Sequence, residues 1–442
     1  MRKGRHGVPV LIAMLLLTSV AYSADWPQWL GPQRDGVWRE AGILEKFPAG
    51  GPKIRWRTPI GGGYSGPAVA NGKVLVTDRQ AKEGSERVLC LSEKDGAILW
   101  KQAYEADYRI SYPAGPRATP AVTAEQVFTL GAIGDLRCWD LATGAMKWSC
   151  NFTKDYGQAP PLWGWSGHPL VDGDKLICMV GGKGTTVVAF DKNTGKELWR
   201  ALDSQEGHGP GYAPPVIYEA GGKRQLIAWH PQAVSSLDPE TGTVYWSQEF
   251  PIKQGMSIAT PRKAADLLFV TSFYSGAMML KLAGDRPAAS VLWKGKGENE
   301  QKTDALHAVM STPYIKDGYI YGVCSYGQLR CLKASTGERV WETFQATSGA
   351  GPVRWSNAFI IPYGEGARVF LFNEQGDLIS ARLTPKGYEE LDRCHLLEPT
   401  GKAGMSRKPE GVLWSHPAFA NQCMYARNDQ EIVCVSLAAH AP

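Results

Sequence analysis

The chain has 442 residues, 48 Lys and Arg against 43 Asp and Glu, and many glycines (50) and tryptophans (16). The net charge of +5 falls to +2 (5 − 3) if Arg2, Lys3 and Arg5 leave with a signal segment, a balance that argues against nucleic acid or an anionic membrane as main partner. Abundant Gly and Trp favour short strands and tight turns over helices, and a length above 400 residues calls for several domains or internal repeats.

Residues 1–24 read as a secretory signal peptide. A basic Met-Arg-Lys-Gly-Arg start leads into an apolar run from Val8 to Val20, and Ala21-Tyr22-Ser23-Ala24 supplies small residues for cleavage. The run is too short for a stable membrane anchor, and no cysteine stands nearby to carry a lipid. The expected location is periplasmic or extracellular, as a soluble protein. Residues 25–52, opening Asp25-Trp26-Pro27-Gln28-Trp29, form an N-terminal extension expected to pack on the domain that follows. Lys53 to Arg57 is then an isolated strand with Trp56 at its centre.

From residue 67 onward the chain repeats. Thr143-Gly144 to Trp148 recurs as Thr194-Gly195 to Trp199, Thr241-Gly242 to Trp246 and Thr336-Gly337 to Trp341, with Asp95-Gly96 to Trp100 as a close variant. Tryptophans 100, 148, 199, 246, 293 and 341 are 47 to 51 residues apart, a period that signals an array or propeller. Proline stands at 67, 120, 169, 215, 261, 313 and 417, each time opening an apolar strand, and Ala358 takes the remaining place. Each unit reads as four short antiparallel strands, because proline is tolerated at a strand's first residue and Gly, Asn or Asp turns separate the alternating stretches.

Eight openings predict an all-β, eight-bladed β-propeller over residues 53–437, followed by a tail at 438–442. The last unit ends at Leu437 without a fourth strand, so the strand around Trp56 is expected to complete it and close the ring. Tyr388-Glu389-Glu390-Leu391 is expected to supply the outer strand of the seventh unit, which lacks the Thr-Gly-Trp ending.

The Asp-x3-Gly-x3-Trp pattern (Asp140 to Trp148, Asp191 to Trp199, Asp238 to Trp246) resembles the PQQ-like repeat, named for pyrroloquinoline quinone, rather than WD or kelch repeats. In that pattern Asp braces the turn, Gly takes positive φ and Trp docks on the adjoining blade. With Asp25-Trp26-Pro27-Gln28-Trp29-Leu30-Gly31-Pro32 and Gly115-Pro116-Arg117-Ala118-Thr119-Pro120, the chain looks like secreted bacterial PQQ-like propellers, a group often placed with the outer-membrane assembly factor of the same fold. The resemblance implies a cell-envelope protein or a peptide segment as partner. Through the quinoprotein alcohol dehydrogenases it also implies a quinone over the propeller axis, with calcium and an aspartate base.

No motif completes such a site. There is no Cys-Cys pair, no Cys-x-x-Cys-His for haem, no metal-type histidine spacing, no Gly-x-Ser-x-Gly elbow and no Walker-type phosphate loop. No catalytic or metal-ligating residue and no cofactor is therefore expected. The reading is an exported, monomeric, non-catalytic binding or scaffold protein. A PQQ- and calcium-dependent dehydrogenase and a small-molecule or polysaccharide-binding module are the alternatives. Among nine cysteines, two-residue turns at Gly327-Gln328 and Asn428-Asp429 would set Cys324 opposite Cys331 and Cys423 opposite Cys434. A three-residue turn ending in Gly327 would break the first pair, and buried free thiols are the expectation for most.

Residues just before the opening positions face the propeller axis. Two before them stand Ser65, Ala118, Gly167, Ala213, Ala259, Ser311, Ser356 and Ser415, all small, as crowding near an axis requires. Three before stand Tyr64, Arg117, Ser166, Tyr212, Ile258, Met310, Trp355 and Trp414, and one before come His168 and His416 among others. Tyr64, Arg117, His168, Tyr212, Arg354, Trp355, Trp414 and His416 are thus the ligand-binding candidates at the channel mouth, where cations beside aromatics suit an anionic or planar ligand or a peptide segment.

Overall fold

A computed structural model of the chain describes residues 25–204, 209–401 and 411–439. The signal segment, residues 1–24, lies outside the described residues.

The described chain folds into eight four-stranded antiparallel sheets, each an up-and-down meander, arranged as the blades of a propeller. The innermost strands begin at Ala68, Ala121, Leu170, Val216, Arg262, Tyr314, Ala358 and Ala418, directly after the seven prolines and at Ala358 itself. The ring closes as the sequence indicates. Ile54–Pro59 pairs antiparallel with Glu431–Ser436, so the eighth blade takes three strands from the C-terminal end and its fourth from the N-terminal one. Gly387–His395, containing Tyr388 to Leu391, is the outer strand of the seventh blade.

The repeat motif acts between blades. Asp140 Oδ1 accepts from the amides of Ala142 and Thr143 and from the Thr143 hydroxyl, and Asp191 does the same in the third blade. This turn brings Gly144 to a φ of +74°, in contact with Trp100 of the preceding blade; a Cβ there would lie 2.7 Å from the indole. Gly96 meets Trp56, Gly195 meets Trp148, Gly242 meets Trp199 and Gly337 meets Trp293 in the same manner. The indole N–H then donates across the seam to the backbone: Trp56 to Glu93 at 2.9 Å, Trp100 to Leu141 at 3.0 Å, Trp148 to Lys192 at 2.9 Å and Trp293 to Ala334 at 2.8 Å.

Cysteines belong to this same arrangement. Cys90, Cys138, Cys331 and Cys434 each stand directly opposite a motif tryptophan on the neighbouring strand, the place that Ala189, Ser236 and Met279 take in three other blades. All nine cysteines are free. The pairing of Cys324 with Cys331 fails because the turn has three residues, leaving Cys331 opposite Tyr321. That of Cys423 with Cys434 fails because the turn is Asp429-Gln430 rather than Asn428-Asp429, which places Cys434 opposite Tyr425 and Cys423 opposite Ser436.

Where the motif is missing, the N-terminal extension covers the seam. Asp392 holds the tryptophan's register position in the seventh blade, and its carboxylate accepts from the amide of Phe47 at 2.6 Å. Ile43 bridges to Ala438 and the Ala439 amide donates to Gly42, so residues 438–439, the start of the expected tail, pair with the extension.

Trp148 and Trp199 offer a controlled comparison. Trp148 donates to Lys192, whereas the buried indole nitrogen of Trp199 has no partner among the described residues, the turn it faces carrying Pro239 where Lys192 stands in the preceding one. Phenylalanine at either place removes similar area, but only Trp148→Phe also breaks a hydrogen bond. We expect Trp148→Phe to lower stability by about 1 kcal/mol more than Trp199→Phe, read from urea unfolding midpoints. Equal losses would remove the hydrogen bond from the account of the seam.

A one-ended axial pocket as candidate functional site

The N-terminal extension closes one end of the axis. It joins the first blade through the Trp26–Val69 bridge, crosses the centre, and reaches the seventh blade where the Trp38 amide donates to Pro362 at 2.8 Å. Between these anchors Arg34 is buried. Its guanidinium donates to the carbonyls of Pro169 and Pro215 at 3.1 Å each and of His168 at 3.3 Å. Arg262 of the fifth blade in turn donates to the carbonyls of Arg34 and Asp35. Burial lowers the pKa of Arg34 to about 10, so it remains a cation whose charge is spread over carbonyl dipoles.

Trp29, on the same extension, enters the axis as a floor. It stacks on His168 with ring centroids 3.9 Å apart and planes 10° from parallel, meets His416 edge-on at 4.8 Å, and donates its indole N–H to Thr260 Oγ1 at 2.9 Å. Above it opens a pocket of about 200 Å³. Every residue three places before a blade opening lines it, from Tyr64 round to Trp414, and the small residues between that ring and the opening are buried. Seven of the eight candidates, Tyr64, Arg117, His168, Tyr212, Trp355, Trp414 and His416, therefore meet on one surface.

Arg354 does not. Its guanidinium binds Glu300 at 2.9 Å and packs over Trp355 and Phe273, outside the lining, because at four places before the opening the side chain leaves the axial ring. Trp29, Tyr112, Trp163, Met256, Tyr274, Val309 and Phe359 complete the wall and were not singled out from sequence. They come from the extension, from loops of irregular length and from a hairpin tip, none of which shares the repeat's spacing; Phe359 lies inside a strand. Tyr112 and Trp355 hold left-handed backbone at φ +57° and +66°, a strain of about 1–2 kcal/mol for a bulky residue, placed at this pocket.

The expected cationic character is not what the geometry delivers. Arg117 lies over the Tyr64 ring with 5.1 Å to its centroid, but its N–H groups are directed to backbone: Nε to Trp163 at 2.7 Å, Nη1 to Gly115, Nη2 to Ser111 at 3.0 Å and to Tyr112. It ties the loop bearing Tyr112 to the one bearing Trp163. The histidines are neutral. His168 Nδ1 accepts from the Thr119 amide at 2.7 Å, which puts its proton on Nε2; His416 Nδ1 lies 2.7 Å from the Pro417 carbonyl, to which it must donate, leaving Nε2 a lone pair. Neither Nε2 has a hydrogen-bond partner among the described residues.

Nor does the donor set suit a quinone with calcium. A calcium ion needs six to eight oxygen ligands, and the described lining residues include no carboxylate and no carboxamide. Glu86, which approaches Arg117, is committed to the hydroxyls of Tyr104 and Tyr108 at 2.8 Å each, and Glu300 to Arg354. Among the described residues no group of three or more His, Cys, Asp or Glu is placed to hold a metal.

These features define a class: an eight-bladed propeller of PQQ-like repeats whose axis is sealed on one side and opens on the other as an aromatic pocket. A family model described as outer membrane protein assembly factor BamB matches residues 40–185, 84–343, 183–384 and 230–440, and the chain belongs to that family. Among solved structures it is similar to BamB from Moraxella catarrhalis, at 16% identity and a TM-score of 0.58 over 87% of this chain and 99% of that one. It is also similar to a quinohemoprotein alcohol dehydrogenase from Comamonas testosteroni (13% identity, TM-score 0.62, 95% of this chain and 81% of that one). A europium-containing methanol dehydrogenase gives 14% identity and a TM-score of 0.59 over 93% and 89% of the two chains. Such identities establish a shared fold. No match to a curated protein sequence was found.

The buried histidines impose a pH dependence. Burial lowers the pKa of His416 to about 4 and depresses that of His168, with Arg34 adding to the latter. Unfolded histidine protonates near 6.5, so their contribution is complete above that pH and is lost as pH falls toward 4, by about 3 kcal/mol for His416 alone. Urea midpoints should decline between pH 7 and 4.5. His416→Asn, which keeps a donor for the Pro417 carbonyl, should flatten the profile; an unchanged slope would mean that His416 does not titrate as argued.

Proposed function

We propose that the protein is a non-catalytic binding propeller of the cell envelope, whose axial pocket anchors an uncharged aromatic side chain of a protein partner. The observation that carries this reading is the pocket's composition: a one-ended shaft walled by Trp, Tyr, Phe and Met, with the one arginine among its described lining residues engaged by backbone carbonyls. Anchors of this kind dominate protein interfaces, where aromatic groups fill desolvated pockets. Export is inferred from the apolar run Val8 to Val20 behind a basic start. Among the described residues no helix is long and apolar enough to cross a membrane.

The dehydrogenase alternative draws on the shared fold and lacks support from the pocket's donor set. To separate the two, the mature protein is titrated with capped peptides containing one aromatic residue and, separately, with PQQ and calcium. Aromatic peptides should quench tryptophan fluorescence saturably, and Trp163→Ala and Trp355→Ala should each weaken binding by about tenfold or more. Calcium-dependent quinone binding followed by dye reduction with simple alcohols would replace this reading with the enzymatic one.

A further inference from the structure

We infer that the axial pocket receives a tyrosine side chain from a segment of a partner protein, the ring against the aromatic wall and the hydroxyl paired with His168 and His416, which line the pocket beside Trp29. This rests on the binding role proposed above and adds the identity of the anchor.

The axis already holds one aromatic side chain with a polar edge. Trp29 lies across it with its face on His168, its edge near His416 and its N–H on Thr260. A second ring entering from the mouth meets Trp29 below and Tyr64, Tyr212, Trp355 and Trp414 around it. Offset or edge-to-face contacts between such rings add to the area they bury.

His168 and His416 then select among rings. The tautomers set by Thr119 and Pro417 leave a donor at His168 Nε2 and an acceptor at His416 Nε2. A hydrocarbon ring leaves both unsatisfied, and an indole, which only donates, leaves one. A carboxylate or phosphate faces the His416 lone pair with no uncommitted lining cation among the described residues to compensate. A phenol hydroxyl both donates and accepts, and is uncharged at neutral pH. An amide does so too, but brings no ring for the wall.

The mouth indicates why the ring arrives on a polypeptide. Leu162 and Val353 are exposed at 53% and 38%; Leu162 adjoins Trp163 and Val353 stands two residues before Trp355, in the two loops that bring these tryptophans to opposite parts of the lining. A free phenol inside the shaft covers neither. Residues on either side of a tyrosine in an extended segment would lie over both, which gives these exposed apolar side chains a partner.

The test uses the mature chain and calorimetric titration with capped Ala-Ala-X-Ala-Ala peptides and with free 4-ethylphenol. With X = Tyr, binding should exceed that with X = Phe by about tenfold, the worth of one net buried hydrogen bond, and phosphotyrosine should bind worse than Phe. His416→Phe should bring the ratio of Tyr to Phe affinity to about one, whatever it does to the two affinities together; the wild-type peptide series stands without it should that variant misfold. Leu162→Ser with Val353→Ser should weaken the Tyr peptide and spare 4-ethylphenol. Equal affinity for Tyr and Phe overturns the inference and leaves the binding role standing. Free 4-ethylphenol binding as tightly as the peptide, with the mouth variants silent, overturns the polypeptide source. Binding of neither peptide overturns both readings.

Discussion

Everything in this molecule depends on closing the ring. A blade is a four-stranded sheet that buries its faces only against its neighbours, so an open arc of eight would leave two apolar sheet faces in water. Closure comes from Ile54–Pro59 pairing with Glu431–Ser436, which makes one blade out of both ends of the described chain. Trp56 then engages Glu93 and Gly96 of the first blade, so the closing strand uses the same seam contact as the covalently continuous blades. Because that strand lies at the outer edge of the eighth blade, residues 25–52 must travel inward before it. They do so across one end of the axis, where Trp29 becomes the pocket's floor and Arg34 ties the crossing segment to the blade openings. The one-ended pocket is thus a consequence of how the ring is closed.

Buried cations illustrate a second constraint. Arg34 and Arg117 both sit where water is excluded, and an arginine there is costly in proportion to the donors it leaves unsatisfied. All three nitrogens of Arg117 donate to carbonyls of the loops around Ser111 and Trp163, and both Nη groups of Arg34 donate to carbonyls of the blade openings, with Nη1 also reaching Gln28; only Arg34 Nε has no partner among the described residues. The guanidinium works as a multi-armed brace. A charge near a pocket therefore says little about the sign of the ligand until its hydrogen bonds have been counted, and of the anionic ligand, planar ligand and peptide segment expected at this mouth, the geometry of Arg117 favours the uncharged kinds.

The fold was legible in sequence because the repeat writes the same physical requirement many times. A glycine must pass beneath a tryptophan, a proline must open each inner strand, and the period between them is constant even where one marker is absent, as at Ala358. The ring of residues three places before each opening was legible for the same reason, since equal spacing places equal positions at equal depth. What escaped was whatever repeats only once. Trp29 reaches the axis from outside the repeat, Trp163 and Tyr112 sit on loops of individual length, and the left-handed backbone of Trp355 has no sequence mark. Arg354 was misplaced by a single position, enough to turn its side chain away from the axis. The cysteine turns differ from expectation by a single residue of turn length or position, and either shift is enough to move a thiol off its partner in an antiparallel ladder.

The similar structures include an assembly-factor protein and alcohol dehydrogenases, all near the same TM-score, so the fold cannot choose between binding and catalysis. The choice lies in the side chains that the fold delivers to the axis. A hard cation with a planar anionic cofactor requires converging carboxyl and amide oxygens and uncommitted positive donors. The eight positions of the axial ring deliver three aromatic hydroxyl or indole groups beyond Tyr64, two aliphatic side chains, one serine and one arginine already bound to carbonyls. Such a surface gains free energy by covering apolar area and by pairing two neutral imidazole nitrogens, and it gains little from charge. A partner matched to it is uncharged where it enters the shaft, which makes the interaction weakly dependent on salt and strongly dependent on the shape of a single side chain.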